Sequence, residues 1–310
     1  MNVWKGLLTR EWLEHKGALG WGPVITFGVI VVFVMISLAI AGTVEINLDL
    51  DDEGHRGSIT ALIDESLSEE IPTEAALANR LDKIRHGVAE IFLFVFFIIA
   101  FFTLLGMLFD DRKDRSVLFW KSVPASDAET VLSKYVTIAW IGPVATIAMI
   151  MATYVFLFVV MTFLVPGRGA LTVGNLWSNS GLVVGLVELI AGFAVHGLWA
   201  LPIYAWLLLV SSAVTRAPFA WAVFMPIVIG MLERITFGTG VLFKGIGNHL
   251  SLKAIPTAIQ VSVDEAPSGR ATGLGDTFAL FATSDMWIGI VIGAAFLYGA
   301  IYLRTRNNEI

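Results

Sequence analysis

The chain has 310 residues, 56% hydrophobic and 15% charged, with a mean hydropathy of +0.78. Soluble domains carry nearer a quarter charged residues, so a soluble protein is excluded and one integral membrane domain, all-α, is expected. The net charge of −6 argues against nucleic acid as a partner, and the absence of cysteine excludes disulfides and thiolate metal sites.

Residues 1–20 mix tryptophans with charges. Trp4, Leu8 and Trp12 recur at helical spacing, and Trp rings favour the headgroup level, so an interfacial helix on the inner surface is expected. Gly22–Ala41 is the first apolar run, long enough for the ~20 residues a bilayer core needs. Ala39-Ile40-Ala41 resembles a signal-cleavage site. The apolar run before it exceeds a signal peptide's core, so an uncleaved span is expected.

Residues 44–87 form a polar, acidic loop. Within Val44–Arg85 eleven acids face four bases. Helical spacing over Ser58–Leu67 and Thr73–Ile84, with Pro72-Thr73 as a start signal, predicts two helices, the second able to run on into span two. The loop reads either as a solvated helical hairpin or as a docking surface for an outer partner or a cation-attracting vestibule. Val88–Phe109 is the second span, apolar after Glu90.

Residues 110–134, DDRKDRSVLFWKSVPASDAETVLSK, are a charged island between apolar runs. Its acids balance its bases, so it is not a polybasic lipid-binding patch. Inside lies an apolar knot, Val117-Leu118-Phe119-Trp120. A solvated connector has no need of such a knot; a docking surface does. Pro124 breaks the chain, and Ser126 with Glu129 fits a capping box that opens a second helix.

This order resembles the permeases of type-2 ABC exporters, which carry a pattern like E-R-x-x-G-T-L-E-L-L-x-S-L-P-V-S-x-x-E between their second and third spans, followed by a Lys. Here Asp111-Arg112 stands for Glu-Arg, Ser116 for Thr, Ser122-Val123-Pro124 for Ser-Leu-Pro and Ala125-Ser126 for Val-Ser. Glu129 and Lys134 keep their types, while Arg115 replaces the Gly and Leu118 the second Glu. The resemblance implies a coupling segment for a separate ATPase subunit, present twice and carrying ATP and Mg, with a second permease copy or a similar chain beside this one. The coupling residues would be Asp111, Arg112, Arg115, Ser116, Val117, Leu118, Phe119, Trp120, Pro124, Ser126 and Glu129. It also implies a short fifth span followed by outer segments that dip back into the bilayer.

Val136–Val165 is the third span. Leu182–Val214 is the fourth, with a kink expected at Pro202. Phe219–Leu232 is a fifth apolar run, short for a crossing and interrupted by Pro226. Residues 236–285 are Gly-rich and mixed, a candidate outer or re-entrant segment, because broken backbone at membrane depth must be buried or line a cavity. Met286–Leu303 is the sixth span. The bases Lys5, Arg10, Lys16, Arg112, Lys113, Arg115, Lys121, Lys134, Arg216, Arg304 and Arg306 all fall on one side of this six-span plan. The positive-inside rule makes that side cytoplasmic, with both termini inside; with the family resemblance, the inner membrane of a bacterium is the expected location.

Ionisable residues near apolar runs are costly and therefore worth naming. Glu188 reads as interfacial or as a path residue. His196 reads as a buried, hydrogen-bonded structural histidine or as part of a path. Glu233-Arg234 reads as an ion pair closing the fifth span or as part of a gate. No Walker A, H-E-x-x-H or G-x-S-x-G pattern occurs, so no catalytic role, metal site or cofactor is expected in this chain. Alternatives to an exporter subunit are an ion-coupled secondary transporter and a non-transporting scaffold that binds an outer partner through its acidic loop.

Overall fold

The computed structural model describes residues 3–48, 73–113, 125–164, 172–251, 254–255 and 274–306, and side chains within them except over 41–48. The helix expected over Ser58–Leu67, the knot Val117–Trp120 with Arg115, Ser116 and Pro124, and residues 256–273 lie outside the described residues.

The described residues are helical throughout. In chain order the helices are α1 (Val3–Leu48), α2 (Glu74–Lys113), α3 (Asp127–Val136), a π-helical turn (Thr137–Ile141), α4 (Gly142–Leu164), α5 (Val173–Ser178), α6 (Leu182–Trp199), α7 (Leu201–Ala213), α8 (Pro218–Phe237), α9 (Val241–Leu250), α10 (Leu274–Ala279), a 3-10 turn (Leu280–Ala282) and α11 (Ser284–Arg306). Six stretches are long and apolar enough to cross a membrane: Val3–Ile40, Glu74–Lys113, Asp127–Leu164, Val173–Trp199, Pro218–Phe237 and Ser284–Arg306. That is the architecture of a multi-pass membrane protein.

Two boundaries differ from the sequence reading. The expected interfacial helix over residues 1–20 is not a separate element; α1 runs unbroken past Pro23. Its buried stripe is Leu7, Glu11 and Leu19 rather than the Trp4-Leu8-Trp12 face. The reason is a carboxylate: Glu11 has protein partners, so its stripe turns inward and the tryptophans stay at the side. The fifth span is also not short, because α8 continues through Glu233 and Arg234 to Phe237 and ends at Gly238 in the left-handed region (φ 67°). A charged pair in the last turn does not stop a helix whose apolar run has already crossed. The helix expected at Thr73 runs on into span two, as the sequence reading allowed: Thr73 Oγ1 accepts from Ala76 N, and α2 continues from there.

Two other expectations are met. Ser126 and Glu129 form the capping box at α3, with Ser126 N donating to Glu129 (2.8 Å) and Glu129 N to Ser126 Oγ (3.2 Å). The fourth span breaks at Ala200, two residues before Pro202, whose ring has no N–H to continue the ladder.

The main core gathers α2, the π-turn and α7, with Phe92, Leu93, Ala100, Leu104, Ile138, Tyr204, Ala205 and Leu208 all buried. α11 lies along α7, and Gly293 lets them approach: a Cβ there would stand 2.5 Å from Leu201 Cγ. By contrast α1 beyond Gly22 and most of α8 present apolar side chains outward, such as Phe33, Phe224 and Ile235, as lipid-facing helices do.

Candidate functional site

The polar groups of the described bundle concentrate at its two ends and at one point between. At the first end, α1 begins, α2 ends, α3 begins, α7 ends and α11 ends. Asp111 is the centre. Its Oδ2 lies 3.2 Å from Lys134 Nζ and accepts from Arg304 Nη1 at 3.3 Å, while Oδ1 accepts from Arg10 Nη2 at 3.5 Å. Lys134 also donates to Glu11 (3.2 Å), and Arg304 Nε to Asp127 (3.0 Å). Glu11, Asp111, Lys134 and Arg304 are all buried.

Arg10, Lys134 and Arg304 thus meet Glu11, Asp111 and Asp127, with Glu14 on the outer side of Arg10, and they tie α1, α2, α3 and α11 together. Buried ions survive only when paired and hydrogen-bonded. Such a set adds little net stability over apolar packing, and its best-attested use is to fix which helices meet and in what register. Arg112, next in sequence, points the other way. Its Nη2 donates to Val214 O (2.8 Å) and to Ser211 O, where a cation favours the carboxyl end of α7. Ser211 completes the joint: its Oγ donates to Leu105 O (2.7 Å) and accepts from Leu108 N and Phe109 N.

Glu11, Glu14 and His15 bring ligand atoms within 4.8 Å of one another. Arg10 sits 3.4 Å from Glu14 and Lys134 3.2 Å from Glu11. A divalent ion there would face two fixed cations, so the group belongs to the ion network.

At the opposite end, Arg85 is buried on α2. Its guanidinium pairs with Asp82, donates to Gly181 O and lies 4.0 Å from Glu188. Tyr154 donates to the Arg85 carbonyl at 2.8 Å. These residues with His86, Ala89, Gly185 and Leu189 line a small cleft. Glu188 is therefore a partner of Arg85. Along the single helix α2 the two clusters stand about 39 Å apart, enough to bracket a ~30 Å hydrocarbon core.

His196 is buried, with Nε2 3.3 Å from the Tyr204 hydroxyl and its ring edge-on to Phe97. Glu233 and Arg234 make no ion pair among the described residues. Glu233 instead accepts from Val241 N (2.8 Å), Leu242 N (2.9 Å) and Thr239 Oγ1, capping α9 from the preceding helix. A carboxylate is well matched to free N–H groups at a helix start. Glu233→Ala is expected to speed hydrogen exchange at the Val241 and Leu242 amides while leaving α8 protected; unchanged exchange at both would remove the capping role.

Between the ends lies the break in the fourth span. Tyr135 OH donates to Gly197 O (2.6 Å), and His249 Nδ1 lies 2.8 Å from Trp199 O. Trp199 Nε1 in turn donates to Asn248 O (3.0 Å), and Asn248 to Asp285 (3.1 Å). Neither Tyr135 nor His249 is distinguished in the sequence, because nothing local marks a carbonyl at a helix break 62 or 50 residues away.

Comparison with protein-family models, with curated proteins and with solved structures gives no match to this chain.

Proposed function

We propose that this chain is the membrane subunit of an ATP-driven exporter of the type-2 ABC class, in the cytoplasmic membrane of a bacterium. The carrying observation is how residues 114–124 are held at both ends. Asp111 and Arg112 precede them, Asp127 and Lys134 follow, and those four side chains reach α1, α7 and α11 as well as one another's helices. A force applied to that segment would be carried to five spans at once, those of α1, α2, α3, α7 and α11. In this reading Asp111, Arg112 and Lys134 transmit, and the knot Val117–Trp120 is the surface the ATPase grips.

Two ATPase subunits would dock on two such segments, one from this chain and one from a second copy or a similar permease. ATP and Mg would sit on those partners, and hydrolysis would occur there. Closure of the ATPase pair would draw the segments together and switch access from inward to outward. Glu233 and the helix it caps would form the outer side of the path, and the acidic loop would remain open to an outer partner. An ion-coupled transporter would use the free carbonyls of a broken span as ion ligands; in this chain Tyr135 and His249 occupy those nearest the break, which favours the exporter reading.

Topology is the first test. Single cysteines at Ser58 and Ser122 in this cysteine-free chain are expected to differ on intact cells, with Ser58 reacting with an impermeant thiol reagent and Ser122 protected. The reverse pattern would invert the orientation and place the coupling segment outside, away from any ATPase.

A further inference from the structure

The break at Ala200 divides the fourth span between two sets of neighbours. Above it, α6 packs on α4, the π-turn and α10; below it, α7 packs on α2 and on the greater part of α11, which also touches α6. The lower half is fastened by Ser211 to α2 and by Arg112 at its last carbonyls. The upper half is seated against the π-turn at Gly197, where a Cβ would stand 2.8 Å from Trp140 Nε1, and Trp140 donates to Ala194 O. Across the break the halves are joined by backbone and by one side-chain contact, His196 Nε2 to the Tyr204 hydroxyl. Pro202 has no N–H for Leu198 O, and Ala200 N is shared between His196 O and Leu198 O.

We infer that Ala200–Pro202 is a hinge between the two halves of the fourth span, latched by Tyr135 on Gly197 O and His249 on Trp199 O. A bare carbonyl in an apolar interior is costly, so the two donors fix the angle at which the halves meet. They arrive from opposite parts of the chain. Tyr135 follows Lys134 of the ion network, and His249 ends the helix that Glu233 caps. A shift of α3 at the ion network therefore reaches one latch directly, while the other holds the segment after the fifth span. Tyr135 and His249 are positioning residues. The hinge is independent of the energy source; only the direction from which it is driven rests on the exporter reading.

The test uses the full chain in lipid nanodiscs with spin labels on cysteines at Val183 and Ala213, both exposed and about 45 Å apart along the span. The parent chain is expected to give two distance populations. Tyr135→Phe should change their ratio several-fold, and His249→Phe should change it too, with the double variant departing from the product of the two. Pro202→Ala, which restores an N–H, should leave one population. Should Pro202→Ala fail to fold, the two latch variants still decide. A single narrow distance that neither latch variant alters overturns the hinge. Adding the ATPase with trapped ATP should move the ratio in the parent chain. A hinge that answers the latch variants but not the ATPase would stand while the exporter reading fell.

Discussion

Asp111→Ala is expected to destabilise the folded chain by about 3–5 kcal/mol, the usual cost of removing one partner from a buried ion pair. The carboxylate is 4% exposed, and its loss leaves Lys134 and Arg304 buried with one anion fewer. Each retains another carboxylate, Glu11 and Asp127 respectively, so the protein should still insert. The loss should appear as a lower unfolding midpoint in detergent and as looser packing of α1 and α11. Adding Lys134→Met restores the charge balance and should recover part of the midpoint, because the two sites are in contact and their effects do not add. A single variant as stable as the parent would mean that water reaches the cluster and that its charges are not buried in the membrane-embedded protein.

On the proposed exporter function, Trp120→Asp and Leu118→Asp are expected to abolish transport and prevent co-purification of the ATPase, with membrane insertion unchanged. Each large apolar side chain buried in a partner's groove contributes roughly 1.5–3 kcal/mol. A carboxylate in its place must be desolvated without a partner. Lys113 is exposed at the end of α2, and Lys113→Ala should matter far less, since exposed ion pairs contribute little. On that proposed function, the partner to look for is a soluble ATPase encoded beside this chain. Full recovery of ATPase and transport with both Asp variants would dismiss the knot as a docking surface.

What the sequence disclosed was what depends on neighbours along the chain. Apolar runs of sufficient length, the Ser126–Glu129 cap, the break before Pro202 and the run of one helix from Thr73 into the second span are local matters of propensity and spacing. The ion network was visible only as its parts. The family pattern holds Asp111 and Lys134 together, but no period or motif links either of them to Glu11 on the first span or to Arg304 on the last. Their shared destination becomes intelligible once it is asked where a charge beside an apolar run can find a counter-ion. Glu233 shows a subtler failure. Adjacency to Arg234 invited an ion pair, but neighbours in a helix point in different directions, and the free amides at the start of α9 were the better acceptor's target. The N-terminal stripe failed for a similar reason: tryptophans announced an interface, while a single glutamate with a buried lysine partner set the rotation of the helix.

The spacing of the two polar clusters along α2 also sets a hydrophobic length. Between His86 and Asp110 the helix is apolar but for Glu90, and its stretch from Val88 to Phe109 measures about 33 Å. Because the clusters are locked by cross-helix pairs rather than by surface lysines free to snorkel, that length is rigid. A bilayer of short acyl chains cannot be matched by sliding one end of α2; the bundle must tilt as a unit or the lipid must stretch, at a fraction of a kcal/mol per Å of mismatch. The chain is thereby tuned to the thickness of the membrane that houses it.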